Sequence, residues 1–130
     1  MTRPTTSTSE AVVGAVVRSP NPLWYLAFGI ALAAQLIAVY APDGPGGPQV
    51  TGLDKVVHVL IFAAPAFAAL TAGIRARWAL GILAVHAPVS ELVQHFALQH
   101  RSGDVLDVAA DLTGVALGGW AYVVRTRRQH

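Results

Sequence analysis

Gln99-His100-Arg101-Ser102-Gly103-Asp104-Val105-Leu106-Asp107-Val108-Ala109-Ala110-Asp111 begins as a polar turn and continues, without a break, into an apolar segment carrying three aspartates. Asp104, Asp107 and Asp111 recur at intervals of three and four, so a helix puts them on one face. Leu112 to Val124 follows with no charged residue. At about 1.5 Å of rise per residue, Asp111 lies about 10 Å beyond Asp104 along such a helix. Gly114 and Gly118 continue the same stripe, the small-xxx-small pattern that lets helices in a membrane approach closely. The acids therefore face other helices and not lipid.

Working outward, two other stretches offer partners: Asp54-Lys55-Val56-Val57-His58 and Glu91-Leu92-Val93-Gln94-His95. Each polar set again falls at helical spacing and lies beside a long apolar run. Leu23 to Ala41, Leu53 to Gly73, Trp78 to Leu98 and Asp104 or Val105 to Val124 are the four runs, each close to the roughly 20 residues needed to cross a bilayer. Pro42 to Gly52 is rich in glycine and proline and reads as a loop. Pro65 and Pro88 fall inside runs, which membrane helices tolerate when neighbours satisfy the freed backbone groups. A cleaved signal peptide is a poorer reading of the first run, whose apolar core is too long and whose small-residue site at Ala41 is followed by Pro42. Residues 1–20, rich in Thr and Ser, read as a disordered or weakly helical tail; 21–130 form the folded domain.

Composition supports the same class. Of 130 residues, 54% are hydrophobic and 12% charged, against about 25% charged in a soluble domain. Mean hydropathy is +0.51. A chain this short has too much surface per volume to hide that apolar area in a soluble core. The expected fold is all-α: a compact bundle of four transmembrane helices, with the lipid bilayer as its main partner. With no cysteine, disulfides, thiolate metal sites and cysteine nucleophiles are excluded. The basic residues form short clusters without interleaved aromatics, which argues against nucleic acid. Arg3, Arg18, Arg75, Arg77, Arg125, Arg127 and Arg128 fall on one side of a four-span arrangement, and Lys55 and Arg101 on the other, so the positive-inside rule places both termini in the cytoplasm.

That topology brings all three polar stretches to the extracytoplasmic level, with five of the chain's seven acidic residues among them. A charge at mid-bilayer costs on the order of 2.5–3.5 kcal/mol, so these acids need partners, protons or a cation. The pattern Asp54-Lys55-x-x-His58, Glu91-x-x-Gln94, Arg101-Ser102-Gly103-Asp104-x-x-Asp107 resembles the VanZ-like membrane proteins, in motif order and spacing, over nearly the whole chain from first run to last. The resemblance implies a small multi-pass protein of the bacterial plasma membrane, associated through the family's founding member with resistance to the glycopeptide teicoplanin. The chain departs from the family in having Asp111 where an asparagine is usual, and His100 where glycine often precedes the arginine.

Asp54, His58, Glu91, Asp104 and Asp107 are the candidate catalytic residues, because carboxylates beside a histidine are the equipment of acid–base chemistry. Lys55, Gln94, His95, Arg101 and Asp111 are candidate substrate-binding residues, Arg101 being suited to clamp an anionic group of a lipid-linked or phosphorylated envelope precursor. The same carboxylates with His58 or His95 form a donor set for a divalent cation such as magnesium, calcium or manganese, although no strong metal motif is present; no other cofactor is indicated. Two other readings use the same residues: an ion-pair network that locks helices together, and an oligomeric transporter with intramembrane acids as relays. Two polar residues lie apart from these stretches. Gln35 is expected to hydrogen-bond between helices, and His86 to be a packed, hydrogen-bonded core residue.

Overall fold

A computed structural model describes residues 21–41, 52–98 and 104–129. The expected tail 1–20, most of the loop that ends at Gly52, and Arg101 lie outside the described residues. The fold is all-α, with four helices: α1 (Pro22–Tyr40), α2 (Leu53–Thr71), α3 (Ala76–Ala97) and α4 (Val105–Arg127).

The helix ends follow from local chemistry. Asn21 caps α1, its side-chain oxygen accepting from the Leu23 N–H at 3.0 Å, and Pro22 opens the first turn, where a missing N–H is harmless. The α2–α3 turn is tight because Gly73 takes φ +93°, a conformation costly for any residue with a Cβ. The Ile74 N–H then reaches the Ala69 carbonyl and the Gly73 N–H the Leu70 carbonyl, both at 3.0 Å, the double bond of a Schellman end. Ile74 packs back on the cluster of Ala69, Leu70 and Ala79. Asp104 caps α4 by accepting from the Leu106 N–H at 3.0 Å. Helix α4 runs past Val124 to Arg127, because arginine is a good helix former and a cation is favoured at a helix C-terminus.

Helix α2 is the centre of the bundle and touches each of the others, with its most extensive contact on α4. These two helices run parallel. Gly114 lies over Val59 and Gly118 over Ala63, so closely that a methyl group on either glycine would come 2.3 Å and 2.5 Å, respectively, from the carbonyl oxygen beneath. The glycine stripe thus sets the spacing of the α2–α4 seam. Phe62, Ala66, Leu83, Ala87, Val115 and Val39 form the core beside it.

Outside the apolar core, large apolar side chains face outward while several polar ones are enclosed. Leu23, Ile30, Ile37, Leu60, Ile82, Val85, Phe96 and Trp120 are each at least 60% exposed, while Gln35, Ser90, Glu91, Gln94, Asp107 and Asp111 are buried. By length and composition α1 and α2 are long and apolar enough to cross a membrane. Helices α3 and α4 have 22 and 23 residues, lengths that also suffice, but carry more polar side chains.

Candidate functional site

The start of α2, the end of α3 and the start of α4 meet at one end of the bundle. There the Lys55 ammonium bridges three carboxylates: Asp54 at 3.0 Å, Asp104 at 3.2 Å and Asp107 in a shorter contact. One turn deeper, His58 Nδ1 lies 2.8 Å from Asp111 Oδ1. One proton is shared in this contact: with Asp111 ionised it sits on His58 Nδ1, which donates to the carboxylate. The other ring nitrogen, Nε2, faces Asp107 Oδ1 at 3.9 Å. Glu91 Oε1 stands 3.9 Å from His58 Nδ1 and accepts from the Gln94 amide at 3.4 Å.

Both levels depend on the α2–α4 seam. Aspartate is short, and it reaches His58 from α4 only because Gly114, one turn on, lets the backbones approach. The parallel register then repeats: Lys55 with Asp107, His58 with Asp111, Val59 with Gly114 and Ala63 with Gly118.

Helix α3 enters through an unusual cap. In a capping box the side chain three residues after the cap reaches back to the cap's own N–H. Here that residue is Asp107, and it turns to Lys55 instead. The Asp104 N–H is taken by Glu91 Oε2 of α3 at 3.0 Å. Glu91 thereby ties α3 to the first turn of α4, and Asp107 is released for the interhelical cluster. The Leu106 N–H and then the Lys55 ammonium hold the Asp104 carboxyl below the usual carboxylate range.

Among the candidates from the sequence, Lys55, His58, Glu91, Gln94, Asp104, Asp107 and Asp111 are brought together. Asp54 joins at the exposed edge through Lys55. His95 does not join: it is exposed, and its ring packs edge-on against Phe96. The buried stripe of α3 runs Ala87, Ser90, Glu91, Gln94. At about 100° per residue, His95 lies about 90° from the middle of that stripe. Arg101, expected to bind an anionic group, lies outside the described residues, and Lys55 is the cation that meets Asp107.

For a cation, His58, Glu91 and Asp107 each offer a ligand atom, all within 4.8 Å of one another. The set fits a divalent ion in donor chemistry, with Asp111 orienting the histidine from behind. Lys55, however, already supplies positive charge to Asp107.

A second polar group that spacing alone did not assemble lies deeper. Tyr40 Oη meets His86 Nε2 at 2.9 Å and Gln35 Nε2 meets His86 Nδ1 at 3.4 Å, joining α1 to α3. Phe62 stacks on the same imidazole. Gln35 and His86 are bonded across helices as expected; Tyr40 is the member that spacing did not indicate. Two buried side-chain oxygens among the described residues have no hydrogen-bond partner, Gln35 Oε1 and Asp111 Oδ2.

Comparison with protein-family models, curated proteins and solved structures finds no match.

Proposed function

We propose that the chain is a four-span protein of the bacterial plasma membrane, with both termini cytoplasmic, that works in the manner expected of a VanZ-like protein. The polar cluster then sits near the extracytoplasmic surface and handles an anionic or lipid-linked envelope precursor, and teicoplanin susceptibility is the phenotype to examine. The observation carrying this reading is the partly buried His58 between the buried Asp107 and Asp111, with Glu91 beside it, in a bundle whose outward side chains are largely apolar. An Asp–His pair with one nitrogen fixed leaves the other for proton exchange. Lys55 is the cation at the mouth that would meet an anionic group.

Expression in a teicoplanin-susceptible host tests the reading. Wild-type protein should change the inhibitory concentration, and Asp107→Asn should abolish the change while remaining in the membrane fraction. No change with well-expressed wild type would refute the family role. Single cysteines test the topology: a residue placed at position 102 should label from outside intact cells and one at 76 should not, and the reverse would overturn the orientation.

Lys55 joining three carboxylates and Glu91 capping α4 favour a second reading, a purely structural lock. Thermal unfolding of detergent-purified Glu91→Gln and Asp107→Asn separates the two. Functional groups are often held at a cost in stability, so variants melting at or above wild type support a ligand site. Both melting well below it support the lock.

A further inference from the structure

The opposite end of the bundle carries a different kind of pocket. A cavity of about 250 Å³ opens between the start of α1 and the ends of α2 and α4, lined among others by Asn21, Trp24, Thr71, Tyr122, Arg125 and Gln129. Arg125 stands over the ring of Trp24 at 4.8 Å and that of Phe67 at 5.9 Å. Stacking on aromatic faces orients the planar guanidinium and leaves its N–H edge for hydrogen bonding. The acidic residues among the described segments, Asp54, Glu91, Asp104, Asp107 and Asp111, all belong to the far end.

The remaining donors suit an anion. Thr71 and Thr126 spend their hydroxyl protons on the carbonyls of Phe67 and Val123, at 2.8 Å and 2.9 Å. The Asn21 side-chain oxygen caps Leu23, so the polar group it has left to offer is its NH₂. A site presenting a fixed guanidinium and amide N–H groups, with no carboxylate in its described lining, is complementary to a phosphate oxygen pair. Trp24 beside it is a residue type that favours the headgroup level of a bilayer.

We infer that this cavity is a phosphodiester site, filled by the headgroup of an anionic phospholipid that Arg125 clamps against Trp24. The inference rests on the membrane reading above, but not on the chemistry of the acidic end.

Trp24 is itself the probe. With Trp78→Phe and Trp120→Phe as background, the protein is reconstituted in bilayers containing either brominated phosphatidylglycerol or brominated phosphatidylcholine, and Trp24 quenching is measured against mole fraction. The anionic lipid should reach half-quenching at about fivefold lower mole fraction, the factor expected for one arginine near an anionic headgroup. Arg125→Gln should remove that preference and the exposed Arg127→Gln should leave it. Arg125→Lys, which keeps the charge and loses the fork, should retain only part of it and covers the case in which Arg125→Gln does not fold. Equal quenching by the two lipids overturns the site, as does an equal loss in Arg125→Gln and Arg127→Gln, which would mean general surface charge. Loss of the preference on adding inorganic phosphate overturns the assignment to a lipid in favour of the free anion. Absence of quenching by either lipid sinks the membrane reading itself, and the site with it.

Discussion

At one end of the bundle Asp107 and Asp111 are buried between helices and meet Lys55 and His58. At the other end Arg125 lies half-buried across two aromatic rings. The acids are short and rigid, so they can be held inside only where the helices are close enough for a partner to reach them. Arginine is long and can lay its stem along apolar surface while its head stays at the edge. The difference teaches where function can sit. The acidic end has its geometry fixed by the close approach of two backbones, and the basic end has a cation held at the edge by the rings it lies across.

The contrast can be broken most severely at the seam that supports the acidic end. Gly118→Val should push α2 and α4 apart, because even its Cβ would meet the Ala63 carbonyl oxygen at 2.5 Å and the Ala66 Cβ at 2.8 Å. A loss of about 3 kcal/mol is expected from overpacking, measured by unfolding in mixed micelles. An unchanged midpoint would show that the seam is looser than described. Next, Lys55→Met leaves Asp107 without its cation. Removing one partner of a fully buried pair costs about 3–5 kcal/mol; Lys55 is 30% exposed, so about 2 kcal/mol is expected, with Asp107→Asn in the same background recovering part of it. At the other end Phe67→Leu should cost about 1 kcal/mol, from one edge-on ring contact with Trp24 and one face offered to Arg125. An effect as large as that of Lys55→Met would erase the distinction between the ends.

The smallest effect is a pH dependence. The folded-state pKa of Asp104 is depressed by the Leu106 N–H and by Lys55, so its contribution is complete above the unfolded value, about pH 4, and is lost as pH falls through the folded value below it. Asp104→Asn should therefore flatten the acid limb of the stability curve and leave the neutral region parallel to wild type. An acid limb that keeps its slope would assign it to other carboxylates.

Much of this architecture was legible because apolar runs and their punctuation are local properties. The second apolar run starts at Leu53, as α2 does, and the first and third runs end within a residue of α1 and α3. The glycine stripe after Asp111 was readable as a close-packing surface, and it faces α2. Partner choice was not readable. Spacing places Asp107 on the interior face of α4, but whether it meets Lys55 or Arg101 depends on the rotation of α2 about its own axis, which no periodicity reports. The Glu91 cap on α4 is a contact between helices and carries no signal at the local capping position. His95 lies outside the cluster for a geometric reason: four residues from Glu91 is nearly the same face, but Glu91 lies at the rim of the buried stripe, and a further 40° or so leads out of it.

The parallel register of α2 and α4 has a consequence for the order of synthesis. Lys55 and His58 precede Asp107 and Asp111 by about fifty positions, two and a half to three seconds of translation at about 20 residues per second and longer at slower rates. If the helices enter the bilayer in chain order, the basic partners are already in place when the acids of α4 arrive. The acids of α4 then leave water against a waiting ammonium at Lys55 and a waiting imidazole at His58.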